Sequence, residues 1–186
     1  MSKRKKSSAG EASYHPPVPL PYGFASLVLS GGRLVAVGWE KDRRRLLASI
    51  RRDFPRARPA VGDFGGIRNL LSRYAGGDFP VPAEILSLPF AWERVSSFDR
   101  KVLESAARIP AGETATYGEV GARAGKPGAA RATGGALGRN PWPVLLPCHR
   151  VVGADGALTG FGKGLPAKEA LLAFESAARA SRQAAQ

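Results

Sequence analysis

The chain has 186 residues, a formal net charge of +13 and a single cysteine, which excludes an internal disulfide. This length accommodates one or two small domains. No apolar run is long enough to cross a bilayer, and the basic start Met1–Lys6 lacks the apolar core of a signal peptide behind it. We therefore expect a soluble, cytoplasmic protein, and the charge favours a polyanionic partner.

The first residues predict a flexible segment followed by a hairpin. Residues 1–20 are polar, proline-containing and basic at their start, which is typical of a tail. The basic cluster Lys3–Lys6 either is simply solvated or adds nonspecific affinity for DNA. The runs Phe24–Ser30 and Arg33–Trp39 are rich in β-forming residues around a Ser-Gly-Gly turn, which predicts two antiparallel strands.

Two helices are predicted after the hairpin. Lys41–Phe54 has apolar residues at helical spacing and is ended by Pro55, and Gly66–Tyr74 is a shorter candidate. Together these elements predict a small α/β domain over residues 21–90, with a small antiparallel sheet and helices beside it.

The second half of the chain is predicted to be mostly helical. Ser97–Ala107 has the apolar spacing of a helix, with Ser97 as its candidate N-cap. Thr116–Ala124 and Ala129–Leu137 predict two short helices joined by the turn Gly125–Gly128. This is the pattern of a helix-turn-helix, which also occurs in proteins that never bind DNA.

The second helix of this pair, Ala129–Leu137, has almost no side-chain bulk. Small residues there allow either tight packing inside the domain or a close approach to a ligand. Between Val120 and Ala154 there is no acidic residue, so this region is cationic. Its basic residues are Arg123, Lys126, Arg131, Arg139 and Arg150. We place a C-terminal domain at residues 91–177 and a tail at residues 178–186.

Cys148 is followed by His149 and Arg150. A lone cysteine after an apolar run is either a small buried hydrophobic residue or a reactive thiol. A neighbouring base or cation favours the nucleophilic thiolate. Adjacent side chains on a strand point to opposite faces, so His149 serves Cys148 only if the chain turns or a water bridges them. Pro147 favours such a turn.

Several motifs follow one another in the second half of the chain. They are Ile109–Thr114, Thr116–Val120, Ala130–Ala132, Gly134–Ala136, Asn140–Pro141, Pro147–Val152, Leu158–Phe161 and Lys168–Glu175. In these motifs the chain resembles the O6-alkylguanine-DNA alkyltransferases, also called methylated-DNA–protein-cysteine methyltransferases. The first half matches that family only loosely, at Leu71, Tyr74 and Gly76.

This resemblance implies a DNA-repair protein that acts on O6-alkylguanine in double-stranded DNA, and it leaves O4-alkylthymine open as a second substrate. Cys148 would take the alkyl group and keep it, so each molecule would act once, as a monomer, without metal or cofactor. His149 would act through a water as the general base, and Glu175 would orient its imidazole. Asn140 would tie the active-site loop by backbone hydrogen bonds.

The resemblance also implies how DNA is held. The helix carrying Arg131 would enter the minor groove, and Arg131 would replace the nucleotide that flips out. Tyr117 would donate its hydroxyl to the flipped guanine. The implied DNA-binding residues are Arg131, Thr116, Tyr117 and Gly134, and the implied substrate-binding residues are Tyr117, Val151 and Gly162. Taken alone, Arg131 is an ordinary surface cation, Tyr117 a half-buried ring and Glu175 an exposed helix carboxylate.

Two departures from the family pattern, Lys163 and Phe161, leave the range of accepted alkyl groups open. Two other functions stay as alternatives. One is a protein that recognises alkylated guanine without transferring anything. The other is a Cys-His hydrolase, which needs an oxyanion hole and would leave the basic small-residue helix unexplained.

Overall fold

The computed structural model describes residues 11–62, 64 and 66–184. A sheet with helices beside it forms the first half of the chain, and helices dominate the second. The strands are β1 (Ser13–Tyr14), β2 (Val18–Leu20), β3 (Gly23–Ser30), β4 (Arg33–Glu40), β5 (Arg58–Pro59), β6 (Ala115–Thr116) and β7 (Val151–Val152). The helices are α1 (Arg43–Asp53), α2 (Ile67–Ala75), α3 (Pro82–Leu86), α4 (Ser97–Ala107), α5 (Tyr117–Arg123), α6 (Ala130–Gly138) and α7 (Leu165–Ala184).

Strand β3 is the centre of the N-terminal sheet. It pairs antiparallel with β4, which confirms the predicted hairpin, and its other edge pairs with β1 and β2. Strand β5 adds to β1 in parallel, so the sheet is mixed rather than purely antiparallel. Helices α1 and α2 confirm the two helices predicted in this half.

The predicted tail over residues 1–20 is wrong for its second part, while residues 1–10 lie outside the described residues. Strands β1 and β2 lie within it, with Tyr14, Val18 and Leu20 buried. Pro19 is exposed within β2, which pairs with β3 through a short register. The proline-containing composition of this segment predicted a tail. Proline is tolerated at a sheet edge, however, so that composition does not exclude short strands.

The helix-turn-helix predicted in the second half is present. Helices α5 and α6 pack against each other and against α4. Thr116 caps α5, since its hydroxyl accepts from the Glu119 N–H at 3.2 Å. Helix α4 spans the predicted residues, but its N-cap is Ser96 rather than Ser97, because the Ser96 hydroxyl accepts from the Asp99 N–H at 3.0 Å.

The predicted C-terminal tail is also different in the structure. Helix α7 continues through residues 178–184, the last that the structure describes. Arg179 donates to Glu113 at 2.8 Å, and Arg182 donates to the Gly77 carbonyl at 2.6 Å. Alanine and arginine favour helix, and cations suit a helix C-terminus, so this segment extends α7.

The two halves share one continuous hydrophobic core. The outer edge of β4 joins them, because its backbone binds segments of the second half. Val37 N–H donates to the Pro141 carbonyl at 2.8 Å, and the buried Trp142 indole donates to the Leu34 carbonyl at 2.9 Å. A boundary near residue 90 stays a prediction. No helix in the described part of the chain is both long and apolar enough to span a membrane.

The close contact of α5 with α6 predicts that added side-chain bulk between them lowers the stability of the protein. A Cβ added at Gly121 would lie 2.7 Å from the Thr133 hydroxyl, whereas one at Gly118 meets nothing nearer than 3.9 Å. We expect Gly121→Ala to lower the free energy of unfolding by about 1–3 kcal/mol through overpacking. Gly118→Ala in the same helix is the control and should be neutral or stabilising by up to about 1 kcal/mol.

Urea unfolding of both variants measures this difference. Equal effects of the two substitutions would show that the α5–α6 contact is not sterically tight.

Candidate active site

Cys148 lies in a sharp turn of the backbone. It begins a single 3-10 turn, Cys148–Arg150, directly before β7. Its N–H donates to the Leu146 carbonyl at 2.8 Å, and the Arg150 N–H donates to the Pro147 carbonyl at 3.0 Å. The residue is 8% exposed. The chain therefore turns at the thiol, which is almost fully buried.

The loop leading to Cys148 contains a strained residue. Val144 has a φ of 72°, in the left-handed region that β-branched residues rarely adopt. Such a conformation costs about 1–3 kcal/mol, and the surrounding structure must hold it. Val144 is buried, and the loop on either side of it is tied by Asn140.

Asn140 links three points of this loop. Its amide Nδ2 donates to the Leu146 carbonyl at 2.7 Å and to the Cys148 Sγ at 3.3 Å. Its Oδ1 accepts from the Trp142 N–H at 2.9 Å. One amide therefore fixes the loop and also stabilises negative charge on the sulfur.

Burial sets the resting form of the thiol. Loss of solvent raises the pKa of Cys148 above its ordinary value, although the Asn140 hydrogen bond and nearby backbone N–H groups oppose that rise. The cysteine therefore rests as the thiol, and its reaction needs a base to take the proton.

His149 is fully buried and is held by Glu175. Its Nε2 lies 2.8 Å from the Glu175 Oε1. Because the carboxylate is ionised, Nε2 carries the proton and Nδ1 is left as the acceptor. Nδ1 has no hydrogen-bond partner among the described residues. Burial lowers the pKa of His149, with Glu175 opposing that effect, so the imidazole is neutral and able to accept a proton at Nδ1.

Glu175 receives hydrogen bonds from four residues. Oε1 accepts from His149, from the Tyr74 hydroxyl at 2.8 Å and from Arg150 Nη2 at 2.9 Å. Oε2 accepts from Arg150 Nε at 2.9 Å and from the Gly112 N–H at 3.1 Å. Burial alone would raise the pKa of Glu175, but His149 and Arg150 outweigh it and hold the pKa far below the usual range.

Arg150 has a different role from the one its position beside Cys148 indicates. Besides its two bonds to Glu175, its Nη1 donates to the Ile109 carbonyl at 2.6 Å. It is buried and neutralises the carboxylate. The sequence named Arg150 as a candidate for favouring the Cys148 thiolate, and the structure pairs it with Glu175 instead.

Lys168 is a second buried cation near the thiol. Its Nζ donates to the Val151 carbonyl at 2.6 Å and to the Thr159 carbonyl at 2.8 Å. These bonds attach α7 to β7 and to the loop after it. The positive charge of Lys168 also acts on Cys148 and favours the thiolate.

A cleft of about 530 Å³ lies beside these groups. Residues of α5, α6 and the loop after β7 line it, namely Tyr117, Ala130, Arg131, Gly134, Gly138, Thr159, Gly160, Phe161 and Gly162. The predicted site residues Tyr117, Arg131, Gly134 and Gly162 are therefore brought together here. The volume falls within the range of small-molecule sites.

Tyr117 forms one wall of the cleft. Its hydroxyl donates to the carbonyls of Thr159 and Gly160, at 2.9 and 3.1 Å. Burial raises its pKa, and the charge of Cys148 acts on it in the same direction. A side chain at Gly134 would lie 3.6 Å from the Tyr117 ring. An added methyl group would therefore make only an ordinary contact with the ring, at a position that lines the cleft.

Arg131 is exposed in the first turn of α6, at the rim of the cleft. Thr116 does not line the cleft; as the N-cap of α5 it forms a reciprocal capping box with Glu119. Val151 is buried in β7 and pairs with Ala115, and it does not line the cleft.

The two residues that depart from the family pattern attach the cleft loop to the N-terminal sheet. Lys163 Nζ lies 2.8 Å from the Glu40 Oε1, and the Phe161 ring packs edge-on against Trp39 with centroids 5.9 Å apart. Lys163 is therefore paired with a carboxylate of β4 in this conformation.

The structure brings Cys148, His149, Asn140 and Glu175 into one buried cluster next to the cleft. Sequence reasoning named His149 as a partner of Glu175 but missed the others, above all Tyr74, and it missed the two hydrogen bonds that Lys168 donates. The weak match at Tyr74 was the available signal. In the described part of the chain, no three His, Cys, Asp or Glu side chains are grouped so as to hold a metal ion.

Comparison with known proteins agrees with this arrangement. Residues 97–177 match the model of the 6-O-methylguanine DNA methyltransferase, DNA binding domain. A methylated-DNA–protein-cysteine methyltransferase of Mycobacterium bovis is 43% identical over 117 residues, covering 63% of this chain and 68% of that protein. The one of Salmonella typhimurium is 39% identical over 146 residues, covering 77% and 83%.

A solved structure of Mycobacterium tuberculosis OGT in complex with DNA superposes with a TM-score of 0.72 at 33% identity, covering 89% of this chain and 94% of that one. The fold and the cysteine site define a DNA-binding protein of the alkyltransferase class. The chain belongs to the methylated-DNA–protein-cysteine methyltransferase family.

The hydrogen bonds around Glu175 predict that the stability of the protein depends on pH. Its lowered pKa contributes stability that is present above the unfolded value of about 4.3 and is lost as pH falls. Glu175→Gln removes the charge and leaves Arg150 buried without a counter-charge. We expect it to cost about 3–5 kcal/mol of unfolding free energy near neutral pH.

The cost should shrink as pH falls below about 4, where the unfolded-state carboxyl is protonated. Urea unfolding at several pH values checks this, with exposed Glu169→Gln on the same helix as the control. A cost that does not vary with pH would contradict the ionised state of Glu175.

Proposed function

We propose that the protein repairs DNA by transferring the alkyl group of O6-alkylguanine irreversibly to its own Cys148. The proposal rests mainly on one juxtaposition. A buried cysteine with a base, His149, in the same turn stands beside a cleft whose rim carries Arg131 on a helix of small residues.

DNA would dock on the helix-turn-helix. Apart from Arg131, the first residues of α6 are exposed alanines, so the backbone of this helix can come close to a groove wall. The surrounding cations, among them Arg123 and Lys126, would meet phosphates. Arg131 would enter the duplex and fill the gap left by the flipped nucleotide.

The flipped base would enter the cleft beside Tyr117. In the unbound protein the Tyr117 hydroxyl donates to two carbonyls of the loop, so base binding would redirect this donor towards guanine. The main chain around Gly162 would border the base, and Val151 would support the pocket from β7.

The chemistry is a displacement at the alkyl carbon. His149 Nδ1 would take the Cys148 proton through a water, since the thiol rests protonated and Nδ1 is the free acceptor. The sulfur–carbon bond forms as the carbon–O6 bond breaks. Tyr117 gives its proton to the departing guanine, which leaves neutral, and the proton taken from Cys148 by His149 restores the tyrosine hydroxyl, so the step leaves no net charge on the protein. The thioether that results is stable in water, so each molecule would react once.

The reaction itself is tested by mixing the protein with excess duplex DNA containing O6-methylguanine. We expect one methyl group per molecule, mapped to Cys148 by intact-protein and peptide mass spectrometry. Cys148→Ala should bind the same DNA without any gain in mass. Binding by the parent protein without methylation would instead favour a recognition-only protein. Repeated turnover of an ester or peptide would favour a hydrolase.

The role of Arg131 is tested by separating base flipping from chemistry. We expect Arg131→Ala to slow transfer from duplex DNA by about a hundredfold, because the extruded base is no longer replaced in the stack. Reaction with the free base O6-methylguanine should not change. Single-turnover rates on both substrates measure this.

Arg123→Ala is the control for loss of a surface cation. It should weaken duplex binding in a salt-dependent way without this selective loss. If Arg131→Ala slows both substrates equally, the flipping role is wrong.

A further inference from the structure

We propose that Tyr74 is a positioning residue for the alkyl transfer, so that the N-terminal half of the chain supplies part of the proton relay. This inference rests on the proposed function, because the relay has a purpose only if Cys148 is the acceptor. Tyr74 lies in α2 and donates its hydroxyl to the Glu175 Oε1 at 2.8 Å, across 101 residues of sequence.

The contact is buried and closely packed. Tyr74 is 3% exposed and Glu175 has no exposure. The Tyr74 ring packs against Phe79 and Phe174, with centroids 5.3 and 6.0 Å apart. A hydroxyl held in this way cannot turn to solvent, so its dipole points permanently at the carboxylate.

Tyr74 and His149 share one oxygen. Oε1 accepts from both and also from Arg150 Nη2, while Oε2 accepts from Arg150 Nε and the Gly112 N–H. The hydrogen bond of Tyr74 therefore draws electron density from the atom that holds the His149 proton. It also limits rotation of the carboxylate, and the direction of that carboxylate fixes the imidazole plane and the aim of Nδ1.

The charged and titratable groups around this pair come from three elements. Glu175 faces Tyr74 of α2 and both His149 and Arg150 of the 3-10 turn. His149 is further influenced by Lys168 of α7. Tyr74 stays protonated throughout, because burial and the Glu175 charge raise its pKa well above the ordinary value.

Removing the Tyr74 hydroxyl should change the pKa of His149 in a definite direction. In Tyr74→Phe the Glu175 charge is less dispersed, so its attraction for a proton on His149 grows and the pKa of His149 rises. A base must be neutral to accept a proton. The low-pH limb of the transfer rate, which reports neutral His149, should therefore move to higher pH.

The experiment measures single-turnover methyl transfer from duplex DNA as a function of pH, for the parent and for Tyr74→Phe. We expect the midpoint of the low-pH limb to rise by about one unit, which makes the variant about tenfold slower below it. Tyr14→Phe is the matched control, since it removes the hydroxyl of a second buried tyrosine in the N-terminal half, which lies in β1. Its profile should coincide with that of the parent.

The final yield of methyl per molecule counts the folded protein, so it separates folding from rate. An unshifted midpoint in Tyr74→Phe overturns the inference, whether its rate is unchanged or uniformly lower. A second readout is independent of activity: the chain has two histidines, and ¹⁵N NMR of His149 should show the same upward shift. If the parent itself transfers no methyl group, the proposed function fails, and that result differs from either outcome for Tyr74.

Discussion

A carboxylate without solvent exposure must find its counter-charge and hydrogen bonds inside the protein. Glu175 finds them in three other segments: Tyr74 of α2, Gly112 of the loop before β6, and the turn that carries His149 and Arg150. This one group therefore ties α7 to both halves of the chain. The hydrogen bonds that compensate the burial of Glu175 also hold the His149 imidazole in a single tautomer. The stability of the core and the geometry of the site therefore depend on the same interactions.

The N-terminal sheet also helps to position the active site. The outer edge of β4 binds the backbone near Pro141 and the indole of Trp142, the residues directly ahead of the strained Val144. These bonds fix the start of the loop to Cys148, and Asn140 then shapes the rest of it. A sheet that carries none of the predicted catalytic residues thus decides where the sulfur lies.

The cleft is bounded on its outer side by a glycine-rich loop that is held from two directions. On the buried side, Lys168 donates a hydrogen bond to the start of this loop. On the exposed side, Lys163 and Phe161 attach the loop to β4. The Lys163–Glu40 pair is partly exposed, and such pairs contribute about 0–1 kcal/mol. The buried bonds of Lys168 therefore contribute more to holding the loop than this ion pair does.

The sequence by itself determined the elements that depend on local chemistry. The hairpin, α1, α2, α4 and the helix-turn-helix follow from side-chain periodicity and turn residues, and the motif around Cys148 pointed to the family. It could not show β1 and β2, because the two strands are only two and three residues long and lie in a proline-containing segment, nor the end of α7. Only the tertiary structure decided that Tyr74 reaches Glu175 and that Arg150 serves the carboxylate rather than the thiol. Those choices depend on which distant segments pack together and on the need to satisfy every buried charge, and neither leaves a periodic trace in the sequence.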